Sequence, residues 1–168
     1  LGLSIGTKFS VELVIRSLAE AYILLKTADI SGALTTEASL STQTVFNPKI
    51  HRLKKHKGQV QSATNVYQML NGSEIVKSHE DCGNIQDPYS IRCIPHVHGS
   101  SREVYINADK IIDNELNSVS DNPLIFPNVE VMNSGHFHAE PVAQALDTLS
   151  IAMSEIGAIS ERRINYLM

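Results

Sequence analysis

Cysteine is scarce in this chain: Cys82 and Cys93 are the only two among 168 residues. Two cannot build a disulfide framework, which points to a reducing compartment. An excess of positive charge is also lacking. The 14 Lys and Arg are outnumbered by 18 Asp and Glu, for a net charge of −4, so the chain carries no global electrostatic footprint for nucleic acid or an anionic membrane. No apolar run approaches the length of a membrane span, and the N-terminus lacks the charged-then-apolar pattern of a signal peptide. Internal repeats and low-complexity tracts are missing as well. A soluble, cytoplasmic protein is the expectation these absences leave.

Apolar residues are plentiful enough, at 42%, to bury a core in a chain of one-domain length. Leu1 is not an initiator methionine, and "RRINYLM" stops inside a helical pattern with no capping Gly or Pro. The chain is therefore expected to be a piece of something longer, with residues 1–168 forming a single partial domain.

Periodicity predicts a mainly α fold built from long helices. From Thr7 to about Ile30, Val11, Val14, Leu18, Ala21, Leu25 and Ala28 recur at steps of three and four, which marks one buried stripe. Phe9, Leu13, Ile15 and Ile23 fall on other faces, so this helix is expected to be central in a bundle or to sit between subunits. Gly32 is a plausible stop, followed by a short helix over 35–42. Residues 43–58 read as an irregular connector whose cluster of Lys49, Arg52, Lys54, Lys55 and Lys57 is a solvated face, since no aromatic residue is interleaved to stack a base. Residues 59–70 read as a helix ended by Asn71-Gly72, and 73–85 as a mobile polar loop. Asp87-Pro88 suits a helix start, with a kink or break due at Pro95 and helix resuming to about Asn117. Residues 123–135 suggest a short extended or hairpin segment. Pro141 opens a last helix, in which Val142, Leu146, Leu149, Met153, Ile156 and Leu167 keep heptad spacing.

The stretch "GNIQDPYSIRCIPHVHGS" (83–100) holds the residues most suited to chemistry. Tyr89 and Arg92 lie three apart and share one face of a helix, with Gln86 just ahead. A guanidinium fork binds a carboxylate through two parallel hydrogen bonds. A phenol can donate, accept or, with a lowered pKa, transfer a proton, and the Gln86 amide adds a donor and an acceptor. A pocket for an amino acid needs such a set, although spacing alone favours a solvated or core-bridging role. His96 and His98 form one H-x-H pair and His136 and His138 another. Extended backbone at both could make a zinc site, but no Cys or carboxylate sits at familiar metal spacing, so no metal is expected and the histidines are read as loop residues bonded to backbone. Phe137, between two of them on a loop entering a helix, suits a pocket wall or a loop anchor.

"QDPYSIRCIPHVHG", "NSVSDNPLIF", "SGHFHAEPVAQALD" and "SERRI" together resemble the aromatic amino acid lyases, the family of histidine and phenylalanine ammonia-lyases. The four motifs occur in the family's order and at about its spacing. The Arg92-Cys93 pair and "PHVHG" are more similar to histidine ammonia-lyases than to the plant phenylalanine enzymes. The resemblance implies a long-helix fold like that of the fumarase and aspartase superfamily, assembled as a homotetramer whose active sites draw on several subunits. It also implies a methylidene-imidazolone electrophile, made by cyclisation of an Ala-Ser-Gly tripeptide, and removal of ammonia from an L-amino acid, giving trans-urocanate from histidine. By motif position, Arg92 would hold the substrate carboxylate and Tyr89 would lie beside the electrophile and the reacting carbon. Gln86 would position substrate or cofactor, and Phe137 would pack near the imidazolone.

The sequence departs from that pattern in three ways. Ala-Ser-Gly occurs nowhere in it, so these residues cannot form the electrophile and are expected to be inactive alone. The family's N-terminal tyrosine base and a downstream glutamate lie outside it. Ile5 stands where an Asn ordinarily contacts the cofactor, and an aliphatic group cannot replace the amide's hydrogen bonds. The expected function is part of a histidine-type ammonia-lyase. The alternatives are a non-catalytic helical oligomerisation module from a diverged lyase and, more remotely, a metal-binding bundle.

Overall fold

A computed structural model describes residues 6–81 and 83–168. The expectations for Ile5 and Cys82 lie outside the described residues. Three long helices dominate: α1 (Lys8–Ala38), α6 (Ile94–Leu116) and α7 (Glu140–Leu167). Between α1 and α6 come a 3-10 turn (Thr44–Phe46), α2 (Pro48–Arg52), α3 (Lys57–Met69), α4 (Glu74–Ser78) and α5 (Tyr89–Arg92). A two-stranded antiparallel hairpin, β1 (Leu124–Ile125) with β2 (Val131–Met132), precedes α7.

The six stripe positions of α1 are all buried. Val11, Val14, Leu18 and Ala21 meet Ala108 and Ile112 of α6 and Val142, Ala145 and Leu149 of α7 in one cluster, and Leu25 and Ala28 meet Ile156 in another. Burying one such Leu or Val stabilises the fold by roughly 1.5–3 kcal/mol. Helix directions follow from the bonds at their ends. Thr7 donates to the Glu115 carboxylate at 2.6 Å and Lys8 to the Leu116 carbonyl at 3.1 Å, whereas Gly32 lies against Ile94 and His98. Helix α6 thus runs antiparallel to α1. It also runs antiparallel to α7, because Ser101 near its start bonds the Ala152 carbonyl at 2.9 Å while Val142 and Ala145 near the start of α7 share a cluster with Ile112 near its end. One end of the bundle therefore gathers the start of α6 and the ends of α1 and α7.

Several boundaries differ from those read in the sequence. Gly32 does not stop α1, which continues to Ala38 and absorbs the first half of the short helix expected over 35–42. A Cβ at Gly32 would come within 3.3 Å of Ile94, so the missing side chain serves close helix approach rather than termination. Gly72, at φ 81°, does follow the end of α3. The loop over 73–85 contains α4, opened by Ser73, whose Oγ accepts from the Val76 amide at 3.2 Å. The chain breaks at Cys93, two residues before Pro95, and restarts so that Pro95 sits in the first turn of α6, where a missing N–H costs nothing. All five basic residues of the 43–58 connector are exposed, in keeping with a solvated face.

Candidate functional site

The Gln86–Arg92 segment lies at the gathered end of the bundle. Asp87 does not cap α5: Pro88 occupies the cap position, and the buried Asp87 carboxylate instead accepts the Thr42 amide at 2.9 Å. The Asp87 carbonyl accepts the Arg92 Nε–H at 2.8 Å. Arg92 forms no ion pair among the described residues, so its two Nη groups have no carboxylate partner there.

Tyr89, 70% exposed, lines an open hollow of about 540 Å³ with Val97 of α6 and Glu155, Ile159, Arg162 and Tyr166 of α7. Arg92 is not among the described residues that line it, so this hollow brings Tyr89 together with α7 and not with Arg92. The Cys93 thiol beside the Tyr89 phenol pushes its pKa above the ordinary tyrosine value. A shift in that direction favours the protonated hydroxyl at neutral pH, the form able to donate. Gln86 is exposed, ahead of the turn.

Phe137, 45% exposed, sits at the other end of the bundle, just before α7 begins. Nineteen residues of α7 separate Glu140 from Ile159, which is roughly 28 Å at ~1.5 Å per residue. The structure brings Gln86, Tyr89 and Arg92 into one segment and leaves Phe137 far from it. The flanking histidines bond locally: His136 Nδ1 to Ser134 Oγ at 2.7 Å, and His138 Nδ1 accepting from the Glu140 amide at 3.2 Å.

His96 and His98 lie on α6, not on a loop. Two positions apart on a helix they do not face one another, so the extended pair a metal site required is not formed. Among the described residues, no three His, Cys, Asp or Glu side chains gather into a group able to hold a metal ion. His98 bonds a carboxylate rather than backbone: its Nδ1 lies 3.0 Å from Asp29 Oδ1. Ser62 shares that oxygen, while Asn65 and Arg102 each donate to Asp29 Oδ2 at 2.8 Å. Four donors from α3 and α6 thus converge on one carboxylate of α1. Burial would raise the Asp29 pKa, but bonds from His98, Ser62 and Asn65 outweigh it and hold the carboxyl below the ordinary value. Burial lowers the His98 pKa, against the pull of Asp29, which favours the neutral ring; a bond from that ring to the carboxylate requires the proton on Nδ1. Periodicity missed this hub, although Asp29 follows Leu25 by four in the apolar stripe and His98 precedes Arg102 by four.

The aromatic amino acid lyase family model matches residues 1–168. The histidine ammonia-lyase of Burkholderia multivorans is 45% identical over 164 residues, covering 97% of this chain and 32% of that protein; that of Burkholderia mallei is 46% identical over the same coverage. The chain thus spans about a third of the length of these relatives. Its backbone is similar to the crystal structure of histidine ammonia-lyase from Trypanosoma cruzi, with TM-score 0.84, 40% identity, and 96% and 29% of the two chains covered. Phenylalanine aminomutase of Pantoea agglomerans gives TM-score 0.87 and 33% identity over 95% and 34%.

Proposed function

This chain belongs to the aromatic amino acid lyase family, and from that premise we propose that it is one partial domain of a cytoplasmic ammonia-lyase that converts L-histidine to trans-urocanate and ammonia. The observation that carries the reading is the state of Arg92. Its Nε is fixed by the Asp87 carbonyl, which leaves both Nη groups to grip a substrate carboxylate as a fork. Gln86 positions the substrate. Tyr89, its phenol kept protonated, donates beside the reacting carbon.

The family's methylidene-imidazolone, when present, would supply an electron sink for that carbon. No Ala-Ser-Gly occurs in these residues, so they fit its surroundings rather than its source: the Gln86 amide and the Phe137 ring are both exposed and suited to a planar, neutral group. Distance supports a shared site. Phe137 lies just before Glu140 and Tyr89 lies beside Ile159, positions roughly 28 Å apart along α7, so the two would serve one centre by coming from different copies of the chain. Exposed Phe9, Leu13, Ile23 and Leu34 along α1 supply apolar surface for such an assembly, a homotetramer in our reading.

Ile5 in place of the family Asn favours a second reading, a diverged member kept as a non-catalytic oligomerisation module. Urocanate absorbance on incubating the full-length protein with L-histidine separates the two. Product formation, lost or displaced to much higher KM in Arg92→Ala, supports the lyase; unchanged kinetics in that variant refute the carboxylate grip.

A further inference from the structure

Helix α5 is four residues long, far too short to hold its own position. Ahead of it, Asp87 is fixed twice: its side chain accepts the Thr42 amide just beyond α1 at 2.9 Å, and its carbonyl accepts Arg92 Nε at 2.8 Å. Behind it, α6 is tied back to α1 through His98 and Arg102, which both bond Asp29. Asp29 and Thr42 belong to one continuous helix and its exit, so a single rigid element locates both sides of the turn.

On the reading of Arg92 as the carboxylate grip, we infer that Asp87 and Asp29 are positioning residues, which set the place of the Arg92 guanidinium without touching substrate. A displacement near 1 Å at a substrate-holding group can cost about 10²-fold. Loss of a pin weakens a contact made equally in ground and transition states, so it appears in KM rather than kcat.

The test uses the full-length protein with Asp87→Ala and Asp87→Asn. Asparagine keeps an oxygen able to accept the Thr42 amide, whereas alanine does not. Asp87→Ala should raise KM for L-histidine at least about tenfold with kcat within about twofold, and Asp87→Asn should restore KM. Hydrogen exchange at the Arg92 and Cys93 amides should quicken about tenfold in the alanine variant alone. If Asp87→Ala does not fold, His98→Leu against His98→Asn repeats the comparison, since asparagine can still donate to Asp29. Wild-type KM and exchange in the alanine variant, or equal impairment of both members of a pair, would overturn the inference; so would faster exchange with unchanged KM. Absence of turnover by the unmodified protein would instead sink the lyase reading, and the exchange measurement would then judge the pins alone.

Discussion

The neighbourhood of Asp29 and the turn carrying Tyr89 lie close together at one end of the bundle, yet they treat polar groups in opposite ways. Around Asp29, four donors from two helices satisfy one buried carboxylate. At the turn, Tyr89 and Gln86 face outward and the Arg92 Nη groups have no acidic partner among the described residues. Charges paired inside the chain hold helices in place, while those left open are available to something the chain does not contain. The contrast separates residues whose loss should loosen the fold from residues whose loss should leave it intact.

The strongest way to break the ordered side of this contrast is Gly99→Ala. A methyl group there would overlap the backbone of Gln59, and Gly58 faces the Gly99 carbonyl in the same crossing of α3 and α6. Because both obstacles are backbone, the loss should reach about 3 kcal/mol or exceed it, read as a fall in denaturation midpoint. Asp29→Ala comes next. It strands the buried His98 ring and the Arg102 guanidinium, and a lone member of a buried pair costs about 3–5 kcal/mol; thermal melts should show it, with Asp29→Asn falling between.

Acidity offers a milder probe. Burial lowers the His98 pKa, and burial together with His51 and Lys54 lowers that of His96. The unfolded chain therefore binds these protons first as pH drops. Their contribution is complete above about pH 6.5 and declines below it, by at most about 1.4 kcal/mol per pH unit for each ring. The depressed Asp29 pKa adds a further loss only below about pH 4. Melting temperature should fall from pH 7.5 to 5.5, and His98→Asn should flatten that slope. The smallest effect on stability belongs to Tyr89→Phe: the melting temperature should not move, while urocanate formation by the full-length protein should drop by about 10² or more. A destabilised Phe variant would erase the distinction between the two regions.

Much of the fold was legible because periodicity reports which face is buried. Every residue of the α1 stripe from Val11 to Ala28 lies in the core, and the break before α6 and the hairpin stand near their expected places. Gly32 misled because the same missing side chain serves a terminus or a close approach, and only the partner helix decides between them. Asp87 misled for a related reason: a capping carboxylate can choose a distant amide such as that of Thr42 over the adjacent helix. Motif order singled out the Gln86–Arg92 segment, but neither its exposure nor its separation from Phe137 could be read from spacing. The Asp29 hub was invisible because its members come from three helices, at positions 29, 62 and 65, and 98 and 102, and no local rule links one helix to the next.

One consequence of the antiparallel arrangement concerns α7. It touches no substrate in the proposed chemistry, yet it is the rod along which Phe137 and the Tyr89 hollow are measured out. Adding a single residue within it would lengthen that rod by ~1.5 Å and twist its ends by about 100° relative to each other. On the proposed reading, a change of length in this helix would misalign both ends together, so its residue number would be constrained as tightly as any side chain it carries.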